Sequence, residues 1–365
     1  MKENPFKFGS IVDEPYFTDR ILEIEQVKSI IGSQNHLTII SPRRFGKSSL
    51  IMKVANQTNR PLIAIDMQLI TSTSDLAAQI LKRIYRIYPF EKVRQLVKNF
   101  RVIPSITLNP LTNQVEVSFL PDSSQVPLLE DVLNLMEKLS SQKKKLLMIF
   151  DEFQETRRIH PDLLRQLRSI MQYHKLINYI FLGSQESLIK EIFEMKKSPF
   201  YHFGMIIQLG KIPETDFFNF LASRLEPVNK NASDLAQHII SYTGCHPYYT
   251  QQLAFVVWDK CYRKSFSENP VSEAAGDLIS MHDMDYERWW MNLNKTDKKL
   301  LIGLSLSNKT PLSEAFYRKN DLGAPSTVFS SIKRLMVNGY IIKVDTKYEI
   351  DDPFFGQWLR LRREA

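Results

Sequence analysis

Two cysteines in 365 residues, Cys245 and Cys261, can build neither a disulfide framework nor a zinc site of recognisable ligand spacing. Reduced thiols in a cytosolic protein are the expectation. The N-terminus, Met1-Lys-Glu-Asn-Pro-Phe6, lacks the apolar core of a signal peptide. The apolar runs, such as Leu146 to Phe150, have strand length and are far too short to span a bilayer, so no membrane is expected as a partner. There is no internal repeat, no low-complexity tract, and no acceptor-substrate motif that would suit a metabolic kinase. What is present is a globular composition, 43% hydrophobic and 24% charged, in a chain long enough for two or three domains. Such a chain can bury a core without cross-links.

The charge is mildly basic, +8 from 48 Lys or Arg against 40 Asp or Glu. It is unevenly spread: from Lys295 to the C-terminus thirteen basic residues face eight acidic ones, a net +5 in the last fifth of the chain. An excess of this size permits nucleic-acid binding without requiring it.

Hydrophobic periodicity divides the chain. An amphipathic helix is expected from Arg20 to Ile31, with Ile21, Ile24, Val27 and Ile31 as its apolar stripe. Short apolar runs then alternate with helical stretches. Strands are expected at His36–Ser41, Pro61–Met67, Lys145–Asp151, Asn178–Gly183 and Met205–Leu209. Buried strands separated by helices imply an α/β fold with a parallel sheet covered on both faces. Ile103–Leu120 breaks the rhythm and reads as a β-hairpin insertion around Asn109-Pro-Leu-Thr-Asn-Gln114. From about Lys211 the pattern becomes helical, including one helix over Ser272–Asn292. The last segment reads as three helices followed by two strands, the outline of a winged helix.

The strongest chemical signal is Ser41-Pro-Arg-Arg-Phe-Gly-Lys-Ser48, between a strand and a helix, where a phosphate loop belongs. Backbone N–H groups from Arg43, Arg44, Phe45 and Gly46 through Lys47, Ser48 and Ser49 would cradle phosphate oxygens. Lys47 would bridge the β- and γ-phosphates, and Ser48 would ligate Mg²⁺. Ser41 replaces the usual first glycine, whose role is backbone geometry. The second signal, Leu146-Leu-Met-Ile-Phe-Asp-Glu152, is a buried strand ending in two carboxylates. Asp151 would hold the metal and Glu152 would polarise the attacking water. Ser184, with Gln185 behind it, ends a neighbouring strand and suits a γ-phosphate sensor; a plain strand-end turn is the alternative. Thr243-Gly-Cys-His-Pro-Tyr-Tyr249 opens a helix with Pro at its first turn. Taken by itself, it reads as a helix start with two packing tyrosines.

These motifs, with Asn4-Pro-Phe6, Tyr16-Phe-Thr-Asp-Arg20, Ser198-Pro-Phe-Tyr201 and Asp352-Pro-Phe-Phe355, resemble the archaeal-type ATPases, AAA+ proteins close to the STAND signalling NTPases. The likeness runs over essentially the whole chain. It implies ATP/ADP and Mg²⁺ as cofactors, with Val12, Phe17 and Arg20 bordering the adenine. It also implies that His246 and Pro247 lock a lid onto the nucleotide. One departure stands out: relatives often carry Arg where this chain has His202, and an imidazole cannot supply a fixed cationic fork. Turnover is therefore expected to be slow, with Arg43 and Arg44 as substitutes. Relatives with a nuclease-like region carry it beyond the winged helix, and no nuclease activity is expected here.

The resulting expectation is a P-loop AAA+ core with a five-stranded parallel sheet over residues 1–211, its hairpin insertion at about 103–120. A helical lid at 212–293 and a winged helix with a basic tail at 294–365 follow. In the later helix of the winged helix, Val328, Ile332, Leu335 and Met336 face inward. Ser326, Thr327, Ser330, Lys333 and Arg334 face outward, and Lys343 and Lys347 lie on the wing. This face suits either DNA or docking on the ATPase core. The favoured function is a regulatory ATPase switch answering to a protein partner or trigger. A DNA motor or loader, which would need a nucleotide-dependent oligomer, and a nucleotide-stabilised module without turnover are the alternatives.

Overall fold

A computed structural model describes residues 3–108, 115–119, 125–307, 311–344 and 346–363. The chain forms two compact units.

The first unit comprises Arg20–Pro42 and Lys47–Leu209. Its elements run α1 (Ile21–Gly32), β1 (Leu37–Ile40), α2 (Lys47–Thr58), β2 (Leu62–Asp66), α3 (Thr73–Ile87), α4 (Phe90–Val97), β3 (Ser105–Leu108), β4 (Val115–Ser118) and α5 (Gln125–Leu139). They continue with β5 (Leu146–Asp151), α6 (Thr156–Ile159), α7 (Leu163–Met171), β6 (Ile177–Gly183), α8 (Glu186–Glu194) and β7 (Met205–Gln208). A five-stranded sheet has the order β2-β5-β6-β1-β7, with every pair parallel. All seven residues of β6 and all four of β1 are buried, as expected of central strands covered on both faces. Register aligns Ile40 with Gly183 and Asp66 with Asp151. The carboxyl ends of β1, β5 and β6 therefore form one edge, where open α/β sheets bind ligands.

The expected hairpin is present: β3 pairs antiparallel with β4. Residues 109–114, between the two strands, lie outside the described residues. Helix α1 is rotated from its expected stripe. Ile21 is 63% exposed and Ile30 joins Val27 and Ile31 in the interior, because those three meet β1 and α2 at the C-terminal half of the helix.

The second unit comprises Met1–Asp19, Arg43–Gly46 and Gly210–Ala365. It contains α9 (Glu214–Leu225), α10 (Ala232–Thr243), α11 (Pro247–Arg263), α12 (Pro270–Met281), α13 (Asp283–Met291), α14 (Lys295–Leu306), α15 (Glu314–Lys319), α16 (Pro325–Val337), β8 (Ile341–Val344), β9 (Lys347–Ile350) and α17 (Pro353–Arg363). One hydrophobic core runs through α9–α12 and the winged-helix elements, with Phe6 inserted against Phe220. The stretch expected as one helix from Ser272 is two helices broken at His282. The turn lets Tyr286 pack on Phe355 and Trp358.

The expected basic tail is helix α17, and its apolar face buries Phe354, Phe355, Trp358 and Leu359. Its arginines are engaged: Arg360 donates to the Ser305 carbonyl, Arg362 pairs with Asp283 at 3.1 Å and Arg363 with Glu287 at 2.5 Å. Among the described residues no helix is long and apolar enough to cross a membrane.

Candidate functional site

The loop after β1 ends where α2 begins at Lys47. Gly46 sits at φ +89°, a conformation open to glycine at no steric cost. Lys47 is only 6% exposed, and its Nζ donates to the Ser41 and Pro42 carbonyls at 3.1 and 3.0 Å. The ammonium thus closes the loop on itself. A phosphate would replace these carbonyls with stronger, charge-assisted partners.

One residue on, Ser48 Oγ donates to Asp151 Oδ2 at 2.9 Å. Asp151 Oδ1 accepts from the Glu152 amide at 2.9 Å. Burial pushes the Asp151 carboxyl above its ordinary value, and the Ser48 hydrogen bond only partly offsets that. A hard cation beside this hydroxyl–carboxylate pair would favour the charged form, so the donor set fits Mg²⁺.

Glu152, held at φ +50°, turns its carboxylate toward the end of β6. Its Oε2 accepts from Ser184 Oγ at 2.6 Å and from the Ser184 amide at 3.3 Å. Gln154 Nε2 donates to the same oxygen. Lys47, Ser48, Asp151, Glu152 and Ser184 therefore lie on the carboxyl edge of three neighbouring strands. The pairing of base candidate and sensor candidate, and the part of Gln154, were not visible in the motifs. The position of Gln154 two residues past Glu152 was the one available signal.

The remaining candidates lie in other settings. Arg20 is buried, starts α1 at φ +71° and pairs with Glu23 at 2.9 Å. Ser49 is buried in α2. His202, at φ +52°, is exposed and stacks on Tyr201 with ring centroids 3.8 Å apart. Val12 and Phe17 flank a turn in which the Phe17 amide donates to the Asp13 carbonyl; Arg224 and Gln251 hold that turn through the carbonyls of Pro15 and Tyr16.

Within the second unit, the loop residues meet the start of α11. Arg44 donates to Tyr249 Oη at 2.8 Å and lies 4.7 Å over the Tyr248 ring, while Arg43 is exposed. The Phe45 ring stands edge-on to His246, centroids 4.8 Å apart. His246 is 2% exposed and caps α11, its Nδ1 accepting from the amides of Tyr248 and Tyr249, with Pro247 in the first turn. Its proton-bearing Nε2 faces Asp351 Oδ1 at 3.4 Å, and neither atom has a hydrogen-bond partner among the described residues. Both residues line a cavity of about 700 Å³ between α10 and the wing. Asp351 was missed by motif reading, although its neighbour Asp352, which caps α17, belongs to the Asp-Pro-Phe-Phe motif.

On α16, Ser326, Ser330 and Lys333 are exposed, and Ser330 Oγ donates to the Ser326 carbonyl. Arg334 is committed elsewhere. Its fork grips Asp297, a carboxylate 2% exposed on α14, at 2.8 and 2.6 Å, and Ser331 donates to the same carboxylate. Lys343 lies 5.8 Å from the centroid of the Tyr348 ring, and Lys347 is exposed.

Comparison with known proteins shows the family and the fold. Residues 17–253 match the family described as "ATPase domain predominantly from Archaea", and residues 284–361 match the "Probable winged helix domain". No curated protein matches the sequence. Among solved structures, the Walker-type ATPase PABY2304 of Pyrococcus abyssi superposes with a TM-score of 0.67 at 16% identity, over 98% of this chain and 99% of that one. The Orc1 protein of Aeropyrum pernix, solved in complex with DNA, gives 0.51 at 10% identity over 95% and 93%. Cdc6p of Pyrobaculum aerophilum gives 0.50 at 12% identity over 99% and 97%. These likenesses show a shared fold. The match to the ATPase family covers well over half of the chain, which belongs to the nucleotide-binding P-loop ATPases found predominantly in Archaea.

Proposed function

We propose that this ATPase is a slow regulatory switch whose bound nucleotide is read by α11 and the winged helix. In this reading Lys47 spans the β- and γ-phosphates, Ser48 and Asp151 hold Mg²⁺, Glu152 polarises the water and Ser184 senses the γ-phosphate. Val12, Phe17 and Arg20 border the adenine. The observation that carries the reading is the chain of contacts from Arg44 and Phe45, through Tyr249 and His246, to Asp351. Phosphate-loop residues and the wing thereby touch the same helix N-terminus. His246 is buried and Asp351 half-buried, their polar atoms stand 3.4 Å apart without a hydrogen bond, and a small displacement would make one. A ligand that moves the loop biases such a pair only through different contacts in its two states, which the γ-phosphate supplies. Slow turnover follows from His202, whose imidazole offers no fixed cationic fork.

Hydrogen exchange tests this reading. Residues 244–250 and 347–352 should change protection together between the ATP-analogue and ADP complexes. Equal protection in both complexes would leave the proposed reader without a signal.

A second reading, contact with duplex DNA, draws on the exposed Ser326, Ser330, Lys333 and Lys347. It also draws on the DNA complex of the Orc1 relative, although a fold likeness at 10% identity carries no residue roles. Arg334, exposed but paired with Asp297, is left out of the test, since charge reversal there would set a carboxylate against that buried carboxylate. Lys333→Glu with Lys347→Glu should abolish low-salt DNA binding and leave the melting temperature unchanged. Parent and variant binding DNA alike would end this reading.

A further inference from the structure

Gln154 lies in the 3₁₀ turn Phe153–Glu155 just past the acid pair and is 3% exposed. Its Nε2 donates to Glu152 Oε2, the oxygen that also receives the hydroxyl and the amide of Ser184. Three donors converge on this one oxygen of the carboxylate. The amide cannot turn over, because its carbonyl would then oppose a carboxylate. In the orientation it keeps, Gln154 Oε1 is buried and has no hydrogen-bond partner among the described residues, a cost that a leucine or methionine of similar volume would avoid. A Cβ on Gly183 would stand 2.1 Å from Ile189 and 3.0 Å from Gln154 Oε1, so this glycine leaves room for both. A rigid, costly donor aimed at a single oxygen is built to orient that carboxylate.

We propose that Gln154 is the positioning residue of the water-activating carboxylate, fixing the rotation of Glu152 so that Oε1 meets the attacking water. This rests on the reading of Glu152 as the base. Gln154 itself makes and breaks no bond in the reaction.

The test replaces the donor with an apolar chain of the same length, Gln154→Met, and measures single-turnover ATP cleavage, ATP affinity and melting temperature. The rate should fall about 10- to 100-fold, as for a reacting group held about an ångström out of place. The dissociation constant for ATP should stay within about twofold, and the melting temperature should not fall. If Gln154 acts through Glu152, adding Gln154→Met to Glu152→Gln should slow cleavage no further. A Gln154→Met rate at or above the parent's would overturn the proposal, since the amide would then be idle or would restrain the base. So would an equal further loss in the Glu152→Gln background, or a lower melting temperature together with weaker ATP binding. Glu152→Gln alone separates the two claims. If it cleaves ATP at the parent rate, the base assignment fails; if it is inactive while Gln154→Met is unchanged, only the positioning claim fails.

Discussion

Glu152→Gln should bind ATP about as tightly as the parent and cleave it about 10²- to 10⁴-fold more slowly, the range a positioned general base contributes. The amide keeps the length of the side chain, and its oxygen can still accept from Ser184 Oγ and Gln154 Nε2. The substitution therefore removes the charge and the proton acceptor while sparing the local packing. Ser48 and Asp151 keep their 2.9 Å hydrogen bond, so the pair proposed to hold Mg²⁺ is untouched. The informative comparison sets the cleavage rate against the dissociation constant: loss of rate at constant affinity is the signature of a group that acts in the transition state. Cleavage at the parent rate would place the water-activating group elsewhere on the strand edge. His202→Arg is a poor rescue for such a loss, because a cationic fork stabilises phosphoryl charge and takes no proton.

Legibility in the sequence followed the distance over which each function is encoded. The loop Ser41–Ser48 and the Asp151–Glu152 strand end are local patterns, and the hydrophobic runs around them reported a parallel sheet because both faces of β1 and β6 are buried. Contacts between distant segments were not legible. Helical periodicity places Arg334 outside the apolar stripe of α16, as observed, but says nothing of Asp297, 37 residues upstream, which claims its guanidinium. Arg362 and Arg363 of α17 look like a solvated tail until Asp283 and Glu287 of α13 are seen to pair with them. Asp351 carries no motif of its own, and its relation to His246 exists only because the wing and α11 belong to one core. Ile21 misled for a simpler reason: its spacing fits the stripe of α1, but it stands at the first helical position, before the helix reaches the sheet.

The second large effect is expected at Lys47, and it bears on the central claim that the Ser41–Ser48 loop holds the nucleotide. The ammonium donates to the Ser41 and Pro42 carbonyls. Binding exchanges these neutral acceptors for anionic phosphate oxygens. A hydrogen bond to a charged group contributes roughly 1.5–3 kcal/mol, and two such contacts are at stake. Since 1.4 kcal/mol is tenfold in affinity, Lys47→Ala should weaken ATP binding by about 10²-fold or more. ADP, which lacks the γ-phosphate, should lose less. The freed carbonyls sit at a loop and can take water, so the variant should still fold; its melting temperature without nucleotide checks this. The parent should be stabilised by saturating ATP, because the ligand binds only the folded chain, and the variant should show almost none of that stabilisation at the same concentration. Calorimetric titration of Mg-ATP into parent and Lys47→Ala is the most direct measurement: the account predicts a dissociation constant raised at least about 10²-fold in a folded variant, and equal constants in the two proteins would contradict it.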